Sequence, residues 1–196
     1  MRLNFRDKMF FNGLRVCGNM NPNTSKAIIT ENRIRTFTRE HLIERVSYQD
    51  NHISRERTQT AYRLTEKGRV FCEKEFRMSH FQSNRGCERH NCAVYDVYSR
   101  LSNSERMSAM NEIDIKDSIL RCLDDLYRNQ AAEELDRFLE QTKGISLIDM
   151  TYMQETEGFL IGIEIATDNY SQTVIEQKEA CATLIQCHDF QVINIH

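Results

Sequence analysis

The sequence predicts a mixed α+β fold built in two parts. In the first part, helical stretches precede two strand-like runs, and the second run, at 58–64, leads straight into another helix. After residue 144 the apolar pattern predicts strand, strand, helix and strand. Charge divides the same way, because residues 1–100 hold 19 Lys/Arg and 11 Asp/Glu whereas residues 101–196 hold 7 and 18. We therefore expect two surfaces with different partners.

Capping residues and turns set the predicted elements. Thr65 is a good N-cap for a helix that runs to about 78, and Ser171 is one for a helix that runs to about 185. Further helices are predicted at 4–17, 26–29, 31–46, 89–101 and 114–141, the last with a break near Asn129 and a glycine end at Gly144, and further strands at 47–48, 145–153, 159–167 and 190–195. The domain prediction is an N-terminal domain at 1–78, a linker and connecting helix at 79–111, and a domain of acidic helices and a small α/β unit at 112–196.

The pattern Tyr-Arg-Leu-Thr-Glu-Lys-Gly at 62–68 resembles the exit from the wing of winged-helix proteins, where the last wing strand passes into the next helix. The order of predicted elements before it is helix, helix, helix, strand, wing and strand. This resemblance implies an N-terminal winged helix-turn-helix domain whose third helix, at about 31–46, reads the major groove of duplex DNA. The alternative is an ordinary strand-to-helix junction.

Basic side chains are spread over this domain in the places where a winged helix contacts phosphates. Arg35 and Arg39 are four residues apart and should project together from the third helix. The alternatives are a solvated surface or a protein-binding platform. The candidate nucleic-acid-binding residues are Lys26, Arg33, Arg35, Arg39, Arg55, Arg57, Lys67 and Arg69.

Three ionisable residues in the C-terminal part have the spacing of a nuclease core. Asp149 and Glu164 are predicted on successive strands and Lys178 on the following helix, and this arrangement resembles the PD-(D/E)xK nuclease-like superfamily. The resemblance implies two carboxylates that bind Mg²⁺ and a lysine that positions the attacking water. Ile148 stands in place of the proline and Ala166 in place of the strand lysine. We therefore predict a degenerate, inactive core with no cofactor, and Mg²⁺ only if the protein is a metal-dependent nuclease.

Most of the chain is also similar to the replication-relaxation and plasmid-mobilisation proteins of bacterial mobile elements. The similarity rests on the 62–68 pattern, on Arg-His-Asn-Cys-Ala-Val-Tyr-Asp-Val-Tyr at 89–98, and on Gly-Ile-Glu-Ile at 162–165. Asn91 replaces the aspartate usual in that family. What the resemblance implies is a DNA-binding accessory or regulatory protein of a plasmid, conjugative element or phage, which is catalytically inactive.

A second function from a different class is an anti-CRISPR inhibitor that binds an RNA-guided nuclease or its guide RNA. Carboxylates on the predicted helices at 114–141 could present phosphate-like charges to a basic groove, and the alternative is a solvated helix face. The acidic residues are Glu112, Asp114, Asp117, Asp124, Asp125, Glu133, Glu134, Asp136 and Glu140.

The remaining predictions concern location, metal and assembly. Seven scattered cysteines and no signal-peptide pattern are typical of reduced thiols in the cytoplasm. Zinc is disfavoured because the candidate ligands lack a Cys-x-x-Cys pair. Those ligands are His80, Cys87, His90 and Cys92. No segment is predicted to span a membrane, and a winged domain with a sheet edge leads us to expect a homodimer.

Overall fold

The computed structural model describes residues 2–49, 58–82, 88–142, 146–167 and 170–195. They form two compact units, one extending to residue 108 and the other spanning Ala109–Ile195. Each unit contains a small β-sheet with helices, so the predicted α+β class is confirmed. In the described part of the chain, no helix combines the length and apolar character needed to cross a membrane.

Unit 1 places an antiparallel sheet, in the order β1-β3-β2, among its helices. An aromatic cluster joins the elements, and the rings of Phe11 and Phe37 have centroids 4.7 Å apart. The elements are α1 (Phe5–Cys17), β1 (Asn19–Met20), α2 (Pro22–Ser25), α3 (Glu31–Arg39), β2 (Ile43–Gln49), β3 (Thr58–Leu64), α4 (Glu66–Phe76), α5 (Glu88–Arg100) and α6 (Asn103–Ser108). The sequence predicted α1 and α4 well, and Thr65 caps α4 by accepting a hydrogen bond from the Gly68 amide.

Helix α3 is shorter than predicted because a Schellman motif ends it. The Leu42 amide donates to the Phe37 carbonyl and the His41 amide donates to the Thr38 carbonyl, while His41 has a φ of 56°. Strand β2 therefore begins at Ile43, where the apolar pattern had predicted that the helix would continue to 46. The predicted helix at 26–29 is also misplaced, since α2 covers Pro22–Ser25.

Helix α5 packs against α1, although 79–111 had been interpreted as a linker with a connecting helix. A Cβ added at Gly13 of α1 would lie 2.7 Å from ring atoms of both Tyr95 and Tyr98. The Tyr98 hydroxyl also donates a hydrogen bond of 2.8 Å to the Met9 carbonyl. These contacts hold α5 in unit 1.

Unit 2 contains a sheet in the order β4-β5-β6-β7, in which β6 and β7 are parallel and the other pairs are antiparallel. Helix α9 connects the two parallel strands, as parallel neighbours require. Ile115, Ile148 and Cys181 form its buried centre. The elements are β4 (Met110–Asn111), α7 (Glu112–Arg128), α8 (Ala132–Thr142), β5 (Met150–Met153), β6 (Leu160–Thr167), α9 (Gln172–Leu184) and β7 (Asp189–Ile195).

The main predicted features of unit 2 are present. Ser171 caps α9 by accepting from the Val174 amide, and α7 ends at Arg128, beside the predicted break. The predicted helix end at Gly144 lies outside the described residues.

Candidate functional site

The three residues predicted to form a nuclease-like core come together in unit 2. Asp149 immediately precedes β5, Glu164 lies within β6, and Lys178 lies on α9. Their residues are 7%, 0% and 4% exposed, so the cluster is buried. The strand register pairs Met150 with Ile163, which brings Asp149 and Glu164 beside each other.

The two carboxylates bind the backbone of the opposing strand. An Asp149 oxygen accepts a hydrogen bond of 2.8 Å from the Ile165 amide, and a Glu164 oxygen accepts one of 3.2 Å from the Asp149 amide. Each acidic side chain therefore stabilises the chain segment that carries the other.

Lys178 supplies the counter-charge for this pair. Its Nζ lies 3.0 Å from Oε1 of Glu164 and also donates to the Leu147 carbonyl. Burial, followed by the negative charge of Asp149, raises the pKa of Glu164 from 4.5 to about 7, and Lys178 opposes that rise. The structure thus places a strongly perturbed carboxyl group next to a buried ammonium group.

Tyr170 is part of this cluster, and the sequence analysis did not identify it. Burial, followed by the negative charge of Glu164, raises the pKa of Tyr170, and the Nζ atom of Lys178 lies 6.0 Å from the centre of the Tyr170 ring. Its position just before the Ser171 cap gave no sign of this contact. Only the folded chain brings this ring, which precedes α9, close to Lys178.

The cluster does not fit the Mg²⁺ site that the nuclease resemblance implies. Mg²⁺ needs carboxylate oxygens that face an open, hydrated position. Here Glu164 is fully buried, one of its oxygens faces the Lys178 ammonium, and backbone amides occupy an oxygen of each acid. Among the described residues, no group of three or more His, Cys, Asp or Glu side chains could hold a metal ion.

The candidate zinc ligands, which the sequence analysis disfavoured, form no cluster of three or more such side chains among the described residues. Cys92 is buried in α5, and burial raises the pKa of its thiol to about 12, which disfavours the thiolate that zinc binds. Cys87 lies outside the described residues.

The basic residues of unit 1 fall into two groups. Arg35 and Arg39 are exposed on α3, and Lys26 is exposed just after α2. The Arg35 guanidinium lies 2.6 Å from a carboxylate oxygen of Glu31, in a pair whose side chains are 72% and 60% exposed. Such a pair is weak and leaves the arginine accessible to a ligand.

The other described candidates for nucleic-acid binding make contacts within unit 1. Arg33 holds the buried Asp7 carboxylate through two hydrogen bonds of 2.8 and 2.6 Å. Lys67 donates to the Glu40 carbonyl at the end of α3, and the Arg69 guanidinium lies 5.9 Å from the centre of the Phe81 ring. Arg33 therefore has a structural role, whereas Lys67 is exposed and Arg69 is half-buried. Arg55 and Arg57 lie outside the described residues.

Close backbone packing explains why the 62–68 pattern has a glycine at position 68. A Cβ added there would lie 1.9 Å from the Leu42 carbonyl oxygen. The Thr65 hydroxyl also donates a hydrogen bond to the His41 carbonyl. Both contacts hold the start of α4 against the segment between α3 and β2. The pattern thus includes a close packing contact between the start of α4 and the segment that follows α3.

The acidic helices carry exposed charge in unit 2. Asp114 is an exception, because its carboxylate accepts a hydrogen bond from the Asn111 amide in a capping box at the start of α7. The exposed acidic residues of α7 and α8 are Asp124, Asp125, Glu133, Glu134, Asp136 and Glu140.

Comparison with known proteins gives no relative to guide these assignments. No family model, no curated protein and no solved structure matches the chain.

Proposed function

We propose that the protein is a DNA-binding accessory or regulatory protein of a bacterial mobile genetic element, and that unit 1 binds duplex DNA as a winged helix. The order α1, β1, α2, α3, β2, β3 with an antiparallel β1-β3-β2 sheet supports this proposal. In that arrangement α3 enters the major groove and the β2–β3 hairpin is the wing. The observation that carries the proposal is the exposed pair Arg35 and Arg39 on α3.

The arginine pair has the chemistry that phosphate binding requires. A guanidinium forms paired hydrogen bonds with phosphate oxygens and stays charged at all physiological pH values. Release of Arg35 from Glu31 costs little, because an exposed ion pair contributes at most about 1 kcal/mol. Arg45, exposed on β2 and hydrogen-bonded to Thr60, would add a contact from the hairpin.

Unit 2 serves as an inactive scaffold in this proposal. Lys178 neutralises the acidic pair at the position where a nuclease would hold its metal, so we expect no cleavage of duplex DNA with Mg²⁺ or Mn²⁺. Metal-dependent cleavage that disappears in Glu164→Gln would instead establish the nuclease alternative. We also expect a homodimer, which would recognise a site with two-fold symmetry.

The test is selection from a pool of random duplexes, followed by titration of the enriched sequence. We expect a defined DNA site to be enriched and the affinity to fall steeply with salt, since phosphate contacts release counterions. Failure to enrich any sequence, together with salt-independent binding, would contradict the proposal.

The acidic surface favours a second candidate, an inhibitor of an RNA-guided nuclease. Glu133, Glu134, Asp136 and Glu140 are all exposed on α8, where they could occupy a nucleic-acid groove of such an enzyme. Cleavage assays with the wild type and with the four residues changed to Gln or Asn would test it. Inhibition lost in that variant, at protein levels too low to coat the target DNA, would replace DNA binding as the leading function.

A further inference from the structure

Unit 1 contains a cavity of about 470 Å³ that the proposed function does not use. It lies between the start of α1, the segment that joins α2 to α3, and α6. Its volume falls within the range of about 300–1,000 Å³ that is typical of small-molecule sites. Among its lining residues are Phe5, Arg6, Met9, Ile28, Asn103 and Arg106.

One part of the cavity is apolar. Met9 and Ile28 are only 3% and 2% exposed, so they line its buried part, whereas Phe5 is 53% exposed and lines a more open part. Thioether, aliphatic and phenyl groups together form a surface on which an aromatic ring packs well. The cavity can therefore hold the apolar body of a ligand.

The cavity also carries positive charge. Of the described residues that line it, only Arg6 and Arg106 are charged. Arg6 is exposed on α1, and neither guanidinium forms an ion pair with another described residue. Both charges are therefore available to a ligand.

Hydrogen bonds within unit 1 hold Arg106 in place. Its guanidinium donates to the carbonyls of Tyr98 and Ser99. It also donates to Oδ1 of Asn103, and the Arg106 carbonyl accepts a hydrogen bond of 2.7 Å from Nδ2 of Asn12. An arginine has five N–H donors, so these three bonds leave two for a ligand. Because the acceptors are neutral, the guanidinium keeps its full charge.

The carboxylates next to these arginines in the sequence have other partners. Asp7 is fully buried and binds Arg33 through both of its oxygens. Glu105 accepts a hydrogen bond from the Ser102 amide. A cavity that is lined by two arginines and no carboxylate selects an anion.

We infer that this cavity binds a small organic anion that has an aromatic body. The body packs against Phe5, Met9 and Ile28, and its carboxylate binds Arg6 and Arg106, since a planar carboxylate matches the N–H pairs of a guanidinium. Ile28 lies just before α3 in the sequence, so the ligand contacts the segment that leads into the proposed recognition helix. Binding itself does not depend on the proposed function.

The test is titration of the full chain with three probes in the absence of DNA, followed by two-dimensional NMR of the backbone amides. The probes are 2-naphthoate, its neutral isostere 2-naphthamide, and inorganic phosphate. We expect 2-naphthoate to shift the amides of the lining residues, with a Kd of about 1 mM or tighter, which is usual for a ligand of this size. The other two probes should bind about tenfold more weakly or worse, because 2-naphthamide lacks the charge and phosphate lacks the apolar body.

Two variants and one control define the site. Arg6→Gln should weaken binding of 2-naphthoate by about tenfold and leave 2-naphthamide unaffected. Phe5→Ser should weaken both naphthalene probes alike, because it removes an apolar contact that they share. Both residues are exposed, so the fold should tolerate these changes. The matched control, Lys74→Gln, removes an exposed cation from α4 and should bind like the wild type.

Several results would overturn the inference. Absence of 2-naphthoate binding at about 10 mM would show that the cavity takes no such ligand. Equal affinity for 2-naphthoate and 2-naphthamide would contradict the role of the arginines, and phosphate binding as tight as that of 2-naphthoate would contradict the apolar contact. Equal losses in Arg6→Gln and Lys74→Gln, or amide shifts confined to residues outside the cavity, would show that the anion binds elsewhere.

Discussion

Lys178 and Glu164 form a buried ion pair, with Nζ and Oε1 3.0 Å apart and side chains that are 5% and 0% exposed. Removal of one partner from such a pair leaves an uncompensated buried group, which commonly costs 3–5 kcal/mol. The pair therefore makes unit 2 sensitive to changes at either residue.

Lys178→Met should lower the free energy of unfolding of unit 2 by about 3 kcal/mol. The double variant Lys178→Met, Glu164→Gln should recover part of the loss, because it leaves no buried charge from the pair. Hydrogen exchange of the β6 amides in increasing denaturant measures both effects within unit 2. A Lys178→Met variant as stable as the wild type would contradict the buried ion pair between Lys178 and Glu164.

Glu164 should also make the stability of unit 2 depend on pH. Its pKa is raised from 4.5 to about 7 in the folded protein, so the folded state binds the proton more tightly than the unfolded state. This contribution is full below pH 4.5 and is lost as pH rises towards 7. The stability difference between wild type and Glu164→Gln should therefore shift against the wild type over that range, as measured by exchange of the β6 amides. A difference that does not vary with pH would show that the folded pKa is unshifted.

Gly68→Ala should destabilise unit 1 by roughly 3 kcal/mol, at the upper end of the usual cost of overpacking. The new Cβ would meet the Leu42 carbonyl oxygen, which is backbone and cannot rotate away as a side chain could. Val70→Ala, at a position on α4 that is 55% exposed, is the matched control and should change stability little. Denaturant unfolding of the two variants makes the comparison, and equal effects would refute the close contact.

Substitutions at Arg33 and Arg35 should differ in their effect on the stability of unit 1. Arg33→Ala removes the partner of Asp7, a buried carboxylate that also caps α1, and should cost unit 1 about 2 kcal/mol. Arg35→Ala removes only an exposed pair and should leave stability within about 0.5 kcal/mol. Thermal unfolding would distinguish them, and equal losses of stability would contradict the different roles.

The sequence predicted elements whose signals are local. Thr65 and Ser171 are caps that depend on neighbouring residues alone, and the apolar pattern after residue 144 indicated the strand that carries Glu164. The ends of helices were harder to predict from the sequence, because the left-handed position that usually favours glycine is occupied by His41, Gln130 and Gln186. Without a glycine, the apolar pattern continued past the true end of α3.

The sequence predicted which residues form the candidate site, but it did not predict the contacts that they make. The positions of Asp149, Glu164 and Lys178 on two strands and a helix indicated that they would converge. Their hydrogen bonds to the backbone, and the contact from Tyr170, depend on strand register and helix packing, which composition does not encode. Likewise, nothing local distinguishes the structural Arg33 from the exposed Arg35, since only α1 supplies the Asp7 partner.

The salt dependence of DNA binding tests the docking of α3 most directly. If Arg35 and Arg39 each neutralise one phosphate, changing both to Ala should reduce the slope of log Kobs against log salt by about 1.8, or roughly 0.9 for each contact. The control, Arg121→Ala with Arg137→Ala, removes two exposed arginines from unit 2 and should keep the wild-type slope. A slope unchanged by the α3 variant, or reduced equally by the control, would contradict binding through α3.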